Sequence, residues 1–145
     1  ISTLITPNIP EVEALANISV VSDEDKLRAA SHLITHGARA VLIKGGHEEG
    51  DTKSDALYQA SPEGIATTYY SSPTIPSRNI HGTGCTLSSA IAAHIAMGLT
   101  LEESIRSAKE YIYEAIKAGA DVSIGHGFGP VNHLFNPQKM RVYEE

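Results

Sequence analysis

Ala40-Val41-Leu42-Ile43-Lys44-Gly45-Gly46 is an unbroken apolar run, a lysine and two glycines. Four consecutive apolar residues closed by turn-formers read as a strand buried on both faces, as in a parallel sheet. Upstream, Ser22 is a helix N-cap with Asp25 three positions on. Leu27, Ala30 and Ile34 then share one helical face, and Gly37 is the stop. Further back, residues 1–5 read as a short strand running into Thr6-Pro7-Asn8, and residues 10–16 as a short helix. Pro10 suits its first turn, and Glu11 and Glu13 lie near its positive end. Downstream, residues 55–60 and 65–70 read as an antiparallel hairpin across Ser61-Pro62-Glu63-Gly64. Pro73 and Pro76 mark a loop, and a small-residue helix is expected at about residues 86–97, ending at Gly98. Thr100 and Glu103 form a capping box for a long helix with Leu101, Ile105, Ala108, Ile112, Ala115 and Ala118 at helical spacing. Residues 125–129 read as a loop, and Pro130 opens a final short helix. The order strand, helix, strand, hairpin, helix, helix predicts an α/β layered fold.

The 145 residues suffice for one domain with a real core. With 11 Lys+Arg against 17 Asp+Glu the formal charge is −6, which disfavours nucleic acid or an anionic membrane surface as a partner. No apolar run approaches the roughly 20 residues of a membrane-spanning helix. The opening residues show no basic segment followed by an apolar one, so no secretory signal is expected. The single cysteine, Cys85, excludes an internal disulfide and any zinc site built on paired cysteines, and a lone thiol suits a reducing cytoplasm. The chain opens on Ile1 rather than Met, directly in a strand-like segment, which reads as a processed, truncated or partial chain.

The strongest chemical signal is Gly82-Thr83-Gly84-Cys85 at a helix start. Such a start offers unpaired N–H groups and the positive dipole end, and glycines let backbone approach an anion, so the turn suits a phosphate. The alternative is a glycine-rich helix entry that binds nothing. There is no Walker A pattern. Cys85 in the first helical turn is either an aid to an attacking hydroxyl, where the dipole favours negative charge, or a small buried hydrophobe. Asn8 and Glu11 place an amide and a carboxylate around a helix start, which is either a hard-oxygen environment for hydrated Mg2+ or ordinary capping. Lys44, at a strand end beside Gly45-Gly46, could meet a phosphate or be a solvated lysine. His32 and His36, and His126 and His133, lack a third ligand at metal spacing and read as surface residues; Tyr69 and Tyr70 read as sheet packing.

Thr6-Pro7-Asn8 with Glu11, Val41-Leu42-Ile43-Lys44-Gly45-Gly46-His47, Asp55-Ala56-Leu57-Tyr58, Arg78-Asn79-Ile80-His81-Gly82-Thr83-Gly84-Cys85-Thr86-Leu87-Ser88 and Gly129-Pro130-Val131-Asn132-His133 occur in this order. Together they resemble hydroxymethylpyrimidine/phosphomethylpyrimidine kinases of the ribokinase-like superfamily, over nearly the whole chain. The resemblance implies a three-layer α/β ribokinase-like fold with a largely parallel sheet, of which residues 1–145 would be the C-terminal half of a single kinase domain. It implies ATP and Mg2+, with Gly82, Thr83, Gly84 and Cys85 as the catalytic anion hole. Asn8 and Glu11 would organise Mg2+ and phosphate largely through water. Lys44, Gly46 and Asn8 would lie near the nucleotide phosphates, and the loop before Pro130 near its base. Most ribokinase-like sugar kinases carry Asp where this chain has Cys85, whereas the pyrimidine kinases and some pyridoxal kinases carry Cys. Phe128 departs from a frequent His and Ile80 from a frequent Thr. Family members run to about twice this length, and the absent half supplies most pyrimidine contacts.

The implied activity is ATP-dependent phosphorylation of hydroxymethylpyrimidine and then of its monophosphate, in thiamine biosynthesis. Pyridoxine/pyridoxal kinase is the alternative within the class, and a non-catalytic nucleotide-binding remnant is the alternative outside it. The expected partners are a small pyrimidine substrate and either a second copy of the chain or a complementary N-terminal segment.

Overall fold

In the computed structural model, residues 2–45, 52–123 and 126–139 are described. They fall into two compact units, Ile1–Thr74 and Ile75–Glu145.

The first unit carries helices α1 (Ile9–Ala16) and α2 (Asp23–Thr35) and strands β1 (Ala40–Ile43), β2 (Thr52–Ser61) and β3 (Gly64–Pro73). α2 starts on the expected Ser22, and reciprocal capping boxes close both helices, at Asn8/Glu11, where capping is one of the two readings, and at Ser22/Asp25. α1 begins one residue before Pro10 and ends on Asn17, whose φ of 53° is the left-handed conformation that Asn tolerates better than most residues. Gly37, at φ 112°, follows the end of α2 as expected. Its inward face is Ala29 and Ala30 with Ile34 packed behind, whereas Leu27 stays 39% exposed. Two small side chains let the helix lie close to the sheet, and the expected Leu27 contact is not made.

All four β1 residues are buried, as the apolar run predicts. Val41 and Ile43 join Ala56 and Tyr58 of β2 in one core cluster with Val12, Ala16, Ala29 and Ala30 from the helices. Each large apolar side chain so buried contributes about 1.5–3 kcal/mol. The hairpin is longer than the sequence suggests, pairing Thr52 with Pro73 through to Ser61 with Gly64 across Pro62-Glu63. Pro73 is tolerated because β3 is the edge strand of the order β1-β2-β3. Tyr70 packs as expected, but its neighbour Tyr69 points to the other face and is 56% exposed.

Pairing between the named strands is antiparallel throughout. The parallel component lies on the other side of β1, where the opening segment makes isolated bridges Ser2 to Ala38, Ile5 to Val41 and Asn8 to Lys44. A regular strand over residues 1–5 is therefore replaced by an interrupted one. Ser2 Oγ donates to its neighbour Leu4 O, and Pro7 has no N–H to give. Ile5 and Pro7 still accept from Leu42 N at 2.8 Å and Lys44 N at 2.9 Å.

The second unit is a helix pair, α3 (Thr83–Ala96) and α4 (Leu101–Gly119), with its connecting loops. α3 starts three residues before the expected position, which draws Thr83, Gly84 and Cys85 into its first turn. α4 has the predicted Thr100/Glu103 capping box and buries Ser104, Ile105, Ala108, Ile112, Ala115 and Gly119. The buried stripe ends on Gly119 rather than Ala118, because a step of four from Ala115 keeps the 3.6-residue period. Leu87 and Ile91 of α3 are buried as well. The final helix expected from Pro130 does not form. Asn132 N is taken by Ala115 O at 3.0 Å and Asn132 Oδ1 accepts from Leu134 N at 3.0 Å, which folds the segment into turns.

Candidate functional site

Unit by unit, the fold gathers the residues singled out in the sequence. In the first, Asn8 and Lys44 are partners in a parallel bridge, so the amide and the lysine stand at the same end of adjacent segments. Glu11 belongs with them. Asn8 Oδ1 accepts from Glu11 N at 2.8 Å, and Glu11 Oε2 accepts from Asn8 N at 2.8 Å. Lys44 is half-buried and Glu11 exposed. The capping geometry ties one carboxylate oxygen and the amide oxygen to backbone N–H groups. Among the described residues no group of three or more His, Cys, Asp and Glu could hold a metal ion. A single carboxylate with one oxygen engaged fits a hydrated Mg2+ held through its waters, and does not fit a cage of direct protein ligands.

The strand end beside Lys44 is fixed by a residue the sequence reading quoted without a role. Gly45 N donates to Asp55 Oδ1 at 2.9 Å, and Asp55 is buried at 6% exposure. A Cβ on Gly45 would lie 1.9 Å from Ser54 O, so only glycine lets the chain pass β2 here. Gly46, expected to approach phosphate, lies outside the described residues.

In the second unit, Gly82 is the N-cap of α3 at φ 84°, a left-handed conformation that glycine adopts freely. Thr83 Oγ1 and Thr83 N both donate to Ile80 O, which turns the chain into the helix. Gly84 and Cys85 follow in the first turn, and Cys85 is exposed rather than packed in a core. The other three helices each close their N-terminus with a capping box and carry acidic residues in the first turn. α3 has no side-chain cap and no acid there. Among the described residues the N–H groups of Gly84 and Cys85 meet no acceptor. Oriented, unpaired donors at a positive helix end suit an incoming anion. Pro130 lies beside this turn. It pairs with His81 in a parallel bridge, and His81 N donates to Gly129 O at 3.1 Å.

Asn79 was also quoted in the sequence without a role. It is 7% exposed, and its NH2 donates to Gly119 O and Val122 O at the end of α4. An Asn three residues ahead of Gly82 is its only signal in the sequence.

The phosphomethylpyrimidine kinase family pattern matches residues 1–132. The thiamine biosynthesis bifunctional protein ThiED of Geobacter sulfurreducens is 44% identical over 138 residues, 95% of this chain and 27% of that protein. The hydroxymethylpyrimidine/phosphomethylpyrimidine kinase of Rhizobium meliloti is 39% identical over 135 residues, 92% of this chain and 49% of that protein. Among solved structures, pyridoxal kinase from Staphylococcus aureus in complex with AMP-PCP superimposes with a TM-score of 0.82 at 31% identity, covering 92% of this chain and 48% of that one. The chain thus spans about half the length of the single-function kinase it matches and about a quarter of the bifunctional protein. The α/β ribokinase-like fold expected from the motifs agrees with this likeness. On a match that runs from residue 1 to residue 132, the chain belongs to the phosphomethylpyrimidine kinase family.

Proposed function

We propose that this chain is the C-terminal half of a kinase domain that transfers the γ-phosphoryl group of ATP to the hydroxymethyl group of hydroxymethylpyrimidine, and then phosphorylates the monophosphate, in thiamine biosynthesis. The observation that carries the reading is the α3 N-terminus, uncapped, free of acids and opened by a left-handed glycine. In the transfer the substrate hydroxyl attacks the γ-phosphorus and the bond to the β–γ bridging oxygen breaks. The N–H groups of Gly84 and Cys85 meet the charge on the transferring oxygens. Cys85, acting as its thiolate, takes up the hydroxyl proton and becomes the neutral thiol. Asn8 and Glu11 orient the hydration shell of Mg2+, and Lys44, with Gly46 beside it, neutralises the nucleotide phosphates. Mg2+ itself supplies charge neutralisation on the phosphates. The loop at Pro130 borders the nucleotide base. The acceptor pocket and the rest of the sheet belong to a complementary N-terminal segment, and the working compartment is the cytoplasm.

The test is Cys85→Ala in the complete protein, with turnover and nucleotide binding measured side by side. Turnover should fall by about 100-fold or more while nucleotide affinity stays within about threefold. Unchanged turnover would remove Cys85 from the chemistry.

One observation favours a second reading, pyridoxal phosphorylation: the superposition at TM-score 0.82 is with a pyridoxal kinase. Comparing kcat/KM for hydroxymethylpyrimidine and pyridoxal decides between them. Nucleotide binding without turnover of either would point to a non-catalytic remnant.

A further inference from the structure

We propose that Asn79 is a positioning residue that holds the α3 anion turn and the Gly129-Pro130 segment in place, a role that rests on the kinase reading above. α4 ends without the left-handed glycine that commonly satisfies a helix C-terminus; its C-cap, Ala120, is right-handed at φ −60°. Gly119 O there accepts from Val122 N at 3.2 Å, and both Gly119 O and Val122 O accept from a side chain 40 and 43 residues upstream. Asn79 Nδ2 donates to Gly119 O at 2.5 Å and to Val122 O at 2.6 Å. Two carbonyl acceptors require both amide hydrogens, so the side chain has one possible orientation, NH2 toward α4 and Oδ1 away from it.

Oδ1 then faces Gly129. A Cβ there would lie 2.0 Å from Oδ1 and 2.8 Å from Asn79 Cγ, so Gly129 is shaped around this side chain. Asn79 is thus fixed to the end of α4 on one side and bounded by Gly129 on the other. The next residues transmit that position. Gly129 O accepts from His81 N, His81 pairs with Pro130, and Gly82 opens α3. The turn's own bonds, from Thr83 to Ile80 O and from Thr86 to Gly82 O, shape it locally, whereas Asn79 ties it to the end of α4. Asn79 touches no reacting atom. It sets where the Gly84 and Cys85 N–H groups stand.

The experiment uses the complete kinase with Asn79→Asp, which keeps the shape and removes both donors, and Asn79→Ser, which keeps one short donor. Ile105→Ala in the α4 core serves as a control for general destabilisation. Three quantities are read: kcat and KM for ATP, thermal stability, and amide hydrogen exchange at His81 and Thr86. A shift of about 1 Å in a catalytic group can lower turnover about 100-fold. Asn79→Asp should therefore lower kcat about 100-fold with KM for ATP within about threefold, and Asn79→Ser should fall between it and the wild type. Exchange at His81 and Thr86 should rise at least about tenfold above the rise elsewhere in the molecule. Ile105→Ala should lose comparable stability with kcat within about twofold below its melting temperature. A folded Asn79 variant with wild-type kcat, or exchange that rises uniformly, overturns the proposal. If the wild type phosphorylates neither pyrimidine nor pyridoxal, the functional reading fails, and local exchange alone then decides the positioning role.

Discussion

Gly45→Ala tests whether the end of β1 is held as tightly as its geometry says. The added methyl would stand 1.9 Å from the carbonyl oxygen of Ser54 and 2.9 Å from its carbonyl carbon. Both are backbone atoms of a paired strand, so no flexible side chain can swing away. Relief needs a separation of more than about 1 Å between chains in a close-packed interior. Overpacking of this kind is destabilising by about 1–3 kcal/mol. The same displacement stretches the 2.9 Å bond from Gly45 N to the buried Asp55 carboxylate, and a hydrogen bond to a charged group contributes about 1.5–3 kcal/mol. The expected loss is about 3–5 kcal/mol. Gly37→Ala is the comparison. Gly37 has φ 112° but nothing within 4 Å, so only the left-handed backbone opposes the substitution, at about 1–2 kcal/mol. Urea unfolding of both variants in the complete protein gives the two numbers. A Gly45→Ala loss no larger than that of Gly37→Ala would refute the close approach of Gly45 to Ser54.

Glu11→Gln should leave stability nearly unchanged, because Gln serves in a capping box as well as Glu, yet raise the Mg2+ concentration for half-maximal activity by about tenfold; a magnesium titration beside a melting curve reads both. Ser104→Ala should stabilise the protein by on the order of 1 kcal/mol, since the Ser104 hydroxyl is fully buried without a hydrogen-bond partner among the described residues and alanine is the better helix former; a lower melting temperature would contradict that. Acid should weaken the helix starts. The Ser22 hydroxyl, then the Val21 N–H, hold Asp25 below its ordinary value, and the Thr100 N–H, then its hydroxyl, do the same for Glu103. Groups lowered in the folded state lend stability that is complete above their unfolded values and disappears as pH falls through the folded ones. The urea midpoint should therefore drop as pH falls below the ordinary carboxylate range, and less steeply in Thr100→Ala.

What the sequence made legible was local. The caps at Ser22 and Thr100 and the buried run of β1 each depend on residues within a few positions of one another, and each formed as read, while the hairpin formed with a tighter turn and longer strands than its sequence suggests. Contacts that depend on distant partners were less accessible. The Leu27 face turned outward because Ala29 and Ala30 give α2 a closer seat on the sheet. The helix expected after Pro130 gave way to a bond between Asn132 N and Ala115 O, which nothing near Pro130 announces. Asp55 and Asn79 belong to the same class. Each lies in a quoted motif, but its role is set by glycines 10 residues back for Asp55 and 50 ahead for Asn79, from Gly45 and Gly129.

Two capping boxes show why a local motif cannot by itself name a site. Asn8/Glu11 and Thr100/Glu103 have the same reciprocal pattern, with bonds of 2.8 Å in both directions at the first and 2.9 and 3.2 Å at the second. Capping alone explains both equally well. The difference lies in what adjoins them. Asn8 is paired with Lys44, a half-buried cation at a strand end whose next residue is tied to a buried carboxylate. Thr100 only begins α4, two residues after Gly98. At the first start the cap residue is bridged to a lysine and carries a carboxylate three positions on, the pairing on which the proposed phosphate and hydrated-metal site rests, and among the described residues the cap at Thr100 has no such neighbour in its pairing. The bridge between Asn8 and Lys44, more than the spacing of Asn8 and Glu11, is therefore what turns a helix start into a candidate for phosphate chemistry.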